Sequence, residues 1–203
     1  MLRAINLSIA RGGVPLLHGM SFSVSHGEAL LVRGENGIGK TSLLRCISGL
    51  QAPKSGSIEL SQTLAYAGHL DGIKGSLSVM ENLQFWSHIC GGSNPNLALE
   101  TYNLSDFAQR PAANLSAGQK RRLGLARLLV SGAKLWVLDE PTVSLDAKNV
   151  LLFLRVLKDH LDGGGAAVLS SHIDLNIKMK AIDLIKFKAL KSDWNYEFME
   201  LLE

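Results

Sequence analysis

The chain has 203 residues, with 21 Lys and Arg against 18 Asp and Glu, for a formal net charge of +3. That length allows one domain or a tight pair, and so even a charge offers nucleic acid no bulk attraction. Charged residues are 19% and apolar residues 46%, which excludes an intrinsically disordered chain.

The N-terminal Met1-Leu2-Arg3-Ala4-Ile5-Asn6-Leu7 alternates apolar and polar residues. It predicts a strand over residues 2–9 and lacks the basic start and apolar core of a secretory leader. Residues 20–25 alternate in the same way, and Gly12-Gly13 and His26-Gly27 mark turns. Ala29-Leu30-Leu31-Val32 is a continuous apolar run, the pattern of a strand buried on both faces of a parallel sheet. A Gly-rich loop follows, then a helix from Thr41 to Ser48 closed by Gly49.

Residues 57–68 predict a short strand pair around Ile58 and Leu64-Ala65-Tyr66-Ala67. Over 76–113, Leu77, Met80, Leu83 and Phe85 have near-helical spacing, and Gly91-Gly92-Ser93-Asn94-Pro95 breaks the run. This stretch reads as a small helical insert. A helix start and helix occupy Leu115 to Val130, and Leu135-Trp136-Val137-Leu138 is a second buried strand. Residues 147–161 are helical, Gly163-Gly164-Gly165 turns the chain, and residues 166–171 form a third core strand. Strands alternating with helices predict an α/β parallel sheet with an antiparallel start.

No apolar run reaches the roughly 18 residues of a membrane span. Cys46 and Cys90 are the two cysteines, without a C-x-x-C pair, and fit packing roles in a reducing compartment. A chain in the cytosol, or on the cytosolic side of a membrane, is expected.

Three segments carry chemistry. Gly34-Glu35-Asn36-Gly37-Ile38-Gly39-Lys40-Thr41 matches G-x-x-x-x-G-K-[ST], with a strand before it and a helix, continuing through Ser42, after it. Glycines let backbone N–H groups turn inward, and the helix N-terminus adds partial positive charge for phosphate. Lys40 is expected on the β- and γ-phosphates and the Thr41 hydroxyl on Mg²⁺. Leu135-Trp136-Val137-Leu138-Asp139-Glu140 then places two carboxylates at a buried strand's C-terminal end, where parallel α/β sheets bind ligands. Asp139 is expected to bind Mg²⁺ opposite Thr41, and Glu140 to polarise an attacking water as general base. Between these segments, Leu115-Ser116-Ala117-Gly118-Gln119 precedes a basic amphipathic helix, and Ser116 is a candidate helix cap.

With that third segment the sequence resembles the ABC-type ATPase family, whose signature reads LSGGQ at this spacing. The resemblance covers nearly the whole chain. It implies a P-loop NTPase fold with an antiparallel β subdomain and a helical insert, in one nucleotide-binding domain over 1–203. The core would be 1–75 and 114–203, with the insert at about 76–113. It also implies ATP and Mg²⁺ as cofactors and a head-to-tail homodimer with ATP at the interface. Ser116, Gly118 and Gln119 of one chain would then act on the nucleotide held by the other chain's Lys40. Asp146, in Ser144-Leu145-Asp146, looks like the family's D-loop, and His172 looks like its switch histidine.

Three places depart from the family pattern. Ala117 replaces a glycine of the signature, Ala10 and Arg11 stand where an aromatic residue often stacks on adenine, and His69 occupies the place of the Gln-loop glutamine. Arg11 offers a guanidinium plane instead, and His69 offers a donor to water or a Mg²⁺-bound oxygen. The segment from Tyr66 to Lys74, with Glu81-Asn82-Leu83 and the Ala-containing signature, is similar to the ATP-binding subunit of the haem exporter of cytochrome c maturation. That likeness implies polytopic membrane partner subunits and a peripheral place on the cytoplasmic side of the inner membrane. Phe85, Trp86 and Ile89 are candidate docking residues.

Other readings stand beside it. They are the ATPase of another ABC transporter, a soluble ABC-type ATPase without a transport role, and a P-loop kinase or GTPase. The last leaves Ser116 and His172 unexplained. Lys180, Lys186 and Lys188 near the C-terminus read as a solvated basic face, offset by Glu197, Glu200 and Glu203.

Overall fold

The computed structural model describes residues 1–92, 94–171, 175, 177 and 179–190. His172 and the C-terminal Glu197, Glu200 and Glu203 lie outside the described residues.

β1 (Leu2–Arg11) and β2 (Val14–Val24) form an antiparallel hairpin, and β4 (Ser55–Leu60) pairs antiparallel on the other side of β1. The second sheet is parallel, in the order β5-β6-β7-β3-β8. Its strands are β3 (Ala29–Arg33), β5 (Leu64–Ala67), β6 (Leu135–Leu138), β7 (Ala166–Ser170) and β8 (Lys180–Asp183).

The expected strand pair over 57–68 is corrected. β4 and β5 do not pair with each other, because Ile58 pairs with Ala4 in the antiparallel sheet and Leu64–Ala67 runs parallel to β6. The difference is one of burial. β4 (Ser-Gly-Ser-Ile-Glu-Leu) is mostly exposed and suits an open edge, whereas β5 (Leu-Ala-Tyr-Ala) is half-buried to buried and suits a covered sheet. β8 extends the parallel sheet beyond the three expected core strands.

The continuous apolar runs have a physical reason. Successive side chains of a strand point to opposite faces, and both faces are covered. Leu30, Val32, Leu135, Val137 and Val168 enter a core shared with the antiparallel sheet and α1 (Lys40–Ile47). Leu31, Trp136, Leu138 and Leu169 enter a second core with α4 (Ala117–Val130) and α5 (Ala147–Asp162). The same second core takes in Leu83 of α2 (Val79–Cys90) and Leu99 of α3 (Pro95–Thr101), α-helices of the 76–113 stretch.

The entry to α2 is fixed by polar groups. Ser78 and Glu81 form a reciprocal capping box. Asn82, buried, donates to the carbonyls of Lys74, Leu77 and Ser78 and accepts from the Lys74 N–H. This one amide therefore holds the loop that leads from β5 into α2. Among the described residues no helix is long and apolar enough to cross a membrane.

Candidate functional site

β6, β7 and β3 lie side by side, so their C-terminal ends open on the same edge of the sheet. The loop after β3 is the 34–41 segment, and the residues after β6 are Asp139 and Glu140. Gly39 caps α1 in a left-handed conformation (φ 118°) and supplies no side-chain cap. The first N–H groups of the helix therefore remain for a ligand. Lys40, nearly buried, donates to the carbonyls of Gly34 (2.8 Å) and Glu35 (3.3 Å). Ile38 is half-buried and packs against Gly34, leaving no room for a Cβ there.

Thr41 Oγ1 donates to Asp139 Oδ2 at 2.7 Å. Asp139 Oδ1 accepts from Ser170 Oγ at 2.8 Å, and that hydroxyl accepts from the Glu140 N–H at 3.0 Å. Asp139 is 1% exposed and Glu140 5% exposed. His69 Nε2 stands 3.5 Å from Asp139 Oδ2 and is mostly in solvent. Burial pushes the phenol pKa of nearby Tyr66 up, and the Asp139 carboxylate adds to that shift. Asn36, Gly37, Gly39, Lys40, Thr41 and Ser42 face His69, Asp139 and Glu140 across one cavity of about 430 Å³.

The 115–119 segment is built differently. Ser116 is the N-cap of α4, its hydroxyl accepting from the Gln119 N–H, while the Gln119 side chain accepts from the Ser116 N–H. Gly118 lies against the Ser144 carbonyl. Asp146 caps α5 and accepts from the Asn149 backbone and side chain. Ser116, Gly118, Gln119 and Asp146 do not line the Lys40 cavity of their own chain; Ala117, Lys120 and Ser144 border a neighbouring hollow with His69.

A family model described as ABC transporter matches residues 17–143. The cytochrome c biogenesis ATP-binding export protein CcmA of Ruegeria sp. is 52% identical over 190 residues, 93% of each chain. That of Paracoccus denitrificans is 53% identical over 191 residues, 93% of this chain and 91% of the relative. The chain belongs to the ABC transporter family. A putative ABC transporter ATP-binding protein from Pyrococcus furiosus superposes with a TM-score of 0.83 at 26% identity, over 93% of this chain and 99% of that one. The ABC cassette is thus the fold, an α/β P-loop NTPase with an antiparallel sheet packed beside the parallel one.

Arg11 and Leu16, from the β1–β2 hairpin, join the ABC cassette's cavity wall. Phe85 and Trp86 are half-buried rather than open. The Lys74 ammonium lies 3.8 Å from the Phe85 ring centre, and the Arg127 guanidinium 4.6 Å from that of Trp86. Ile89 is exposed. Three residues of the cassette site were not singled out from sequence: Ser170, Asp71 and Arg121. Ser170 had a signal, since β6 and β7 are equal apolar runs in parallel register, Leu138 beside Leu169, and the next residues are Asp139 and Ser170. Arg121 also had one, being spaced four and seven residues before Leu125 and Leu128 on the buried face of α4.

Proposed function

We propose that the chain is the ATP-hydrolysing subunit of a membrane export complex for haem in cytochrome c biogenesis. The observation that carries the ATPase reading is the meeting of Lys40 and Thr41 with Asp139 and Glu140 around one cavity. The export role rests on identity of 52–53% across nearly the full length of the cytochrome c biogenesis relatives. The haem cargo rests on the likeness of residues 66–74, 81–83 and 115–122 to the haem exporter's ATP-binding subunit.

Gly34, Glu35, Asn36, Gly37, Ile38, Gly39, Lys40, Thr41 and Ser42 form the phosphate cradle. The loop amides and α1 N-terminus take phosphate oxygens, and Lys40 leaves the Gly34 and Glu35 carbonyls for the terminal phosphates. Thr41 and Asp139 fit Mg²⁺, a hydroxyl and a buried carboxylate already within 2.7 Å of each other. Two hard oxygen donors suit an ion that completes its shell with water and phosphate. When bound, Mg²⁺ supplies charge neutralisation to the phosphate oxygens. Glu140 accepts the proton of the attacking water. His69 donates toward that water or a metal-bound oxygen, and His172 is assigned to the γ-phosphate.

Two chains pair head to tail. Ser116, Gly118, Gln119 and Asp146 of each contact the nucleotide in its partner's cradle. Their place outside their own chain's cavity supports this arrangement, and the capping geometry leaves the Ser116 proton for an outside acceptor. Phe85, Trp86 and Ile89 of α2 dock the membrane subunits, which hold the chain peripherally on the cytoplasmic face.

A crossed pair of variants tests the arrangement. Ser116→Arg in one protomer and Lys40→Ala in the other damage the same site of a head-to-tail dimer and leave the second whole. Both changes in one protomer damage both sites. ATP trapped per dimer is expected to be higher in the first combination, and the reverse order contradicts the pairing.

A further inference from the structure

We propose that Arg121 is a positioning residue for hydrolysis, its guanidinium clamping the Glu140 turn and the His69 loop into a single unit. The proposal rests on the ATPase reading above. Arg121 is only 5% exposed and uses all five of its N–H donors. Nε donates to the Pro141 carbonyl (3.0 Å), and Nη2 to those of Asp139 (3.2 Å) and Glu140 (2.7 Å). Nη1 donates to the Gly68 carbonyl (2.8 Å) and to Asp71 Oδ1 (3.0 Å).

Three consecutive carbonyls, of Asp139, Glu140 and Pro141, thus converge on one group. In an extended strand successive carbonyls point to opposite sides. The convergence needs a break in that alternation, and Glu140 provides it with a left-handed φ of 49°. A non-glycine residue holds such a conformation only where its surroundings enforce it. The Ser170 hydroxyl fixes the N–H side of Glu140, and Arg121 fixes its carbonyl side. The direction in which the Glu140 carboxylate leaves the backbone follows from both.

The second half of the clamp is the loop that carries His69. Gly68 and Asp71, on either side of that residue, are both bound to the same guanidinium. Gly124, one turn along α4 from Arg121, leaves room for the Asp71 side chain, which a Cβ there would meet at 2.9 Å. A lysine has a single charged nitrogen with three donors and cannot serve five oxygens spread over two loops.

The test uses Arg121→Gln, Arg121→Lys and Asp71→Asn in the full chain, purified with its membrane subunits. Arg121→Gln is expected to lower kcat by at least about tenfold, with ATP affinity held within about threefold. It is also expected to speed amide exchange at Val143, which donates to the Glu140 carbonyl, while Leu43, which donates to Gly39 in the phosphate loop, is unchanged. Arg121→Lys recovers part of the loss. A kcat within about twofold of the parent overturns the proposal. So does exchange that rises equally at Val143 and Leu43, the mark of a general loss of stability. Where Arg121→Gln does not fold, Asp71→Asn decides: it keeps the bonds to the Glu140 turn and to the Gly68 carbonyl and weakens the hold on the His69 loop by removing the Asp71 charge. Reduced kcat at unchanged ATP affinity supports the clamp, and unchanged kcat overturns it. A parent chain without ATP turnover contradicts the ATPase reading instead, and the exchange comparison still decides Arg121.

Discussion

Glu140→Gln is expected to abolish most ATP turnover, by about 10²–10⁴-fold, the usual contribution of a general base. ATP binding is expected to persist. The substitution keeps the side chain's length and volume at a position 5% exposed, so the turn held by Ser170 and Arg121 does not rearrange. What is lost is the proton acceptor. An amide cannot take the proton of water, and the ATP-bound state accumulates; under the head-to-tail arrangement this appears as a stable dimer by size-exclusion chromatography in Mg-ATP. Turnover within about twofold of the parent would show that Glu140 is not the base.

Lys40→Ala is expected to weaken ATP binding by roughly ten- to hundred-fold, the free-energy equivalent of losing a charge-assisted hydrogen bond. The ammonium is nearly buried at the end of the phosphate loop and is turned onto two loop carbonyls. Among the described residues, Arg11 of the β1–β2 hairpin is the other Lys or Arg that lines the cavity. Calorimetry with Mg-ATP reads the change directly. Because Lys40 is assigned to the terminal phosphates, the loss is expected to be larger for ATP than for adenosine. Unaltered ATP affinity would remove the phosphate loop from the account.

Much of this site is written in the chain locally, and that part is legible. The 34–41 loop needs glycines in fixed places and a lysine at a fixed offset, so its chemistry shows in one short stretch. Asp139 and Glu140 follow an apolar run whose length and composition mark a buried strand. The Ser116 cap is equally local, since Gln119 three residues on completes the box.

The less legible parts depend on which elements become neighbours. Ile58 and Leu64 are close in sequence, yet they enter different sheets because one strand's surroundings are wet and the other's are covered. Lys120-Arg121-Arg122 reads as a basic helical stretch, but its middle residue points inward. Arg121 is tolerated there only because five oxygens from residues 68–71 and 139–141 meet it. Helical spacing marks Arg121 as inward-facing; it does not name those partners. Ser170 is similar, since its value to Asp139 and Glu140 depends on the parallel register of β6 and β7.

The central claim, an ATP-driven subunit working on membrane partners, is tested most directly by affinity purification of the chain from native membranes with ATP turnover measured on the isolated material. Polytopic subunits in constant ratio to the chain, with turnover that Glu140→Gln abolishes in the same preparation, are the predicted result. Recovery of the chain without membrane subunits, or turnover untouched by Glu140→Gln, would contradict it.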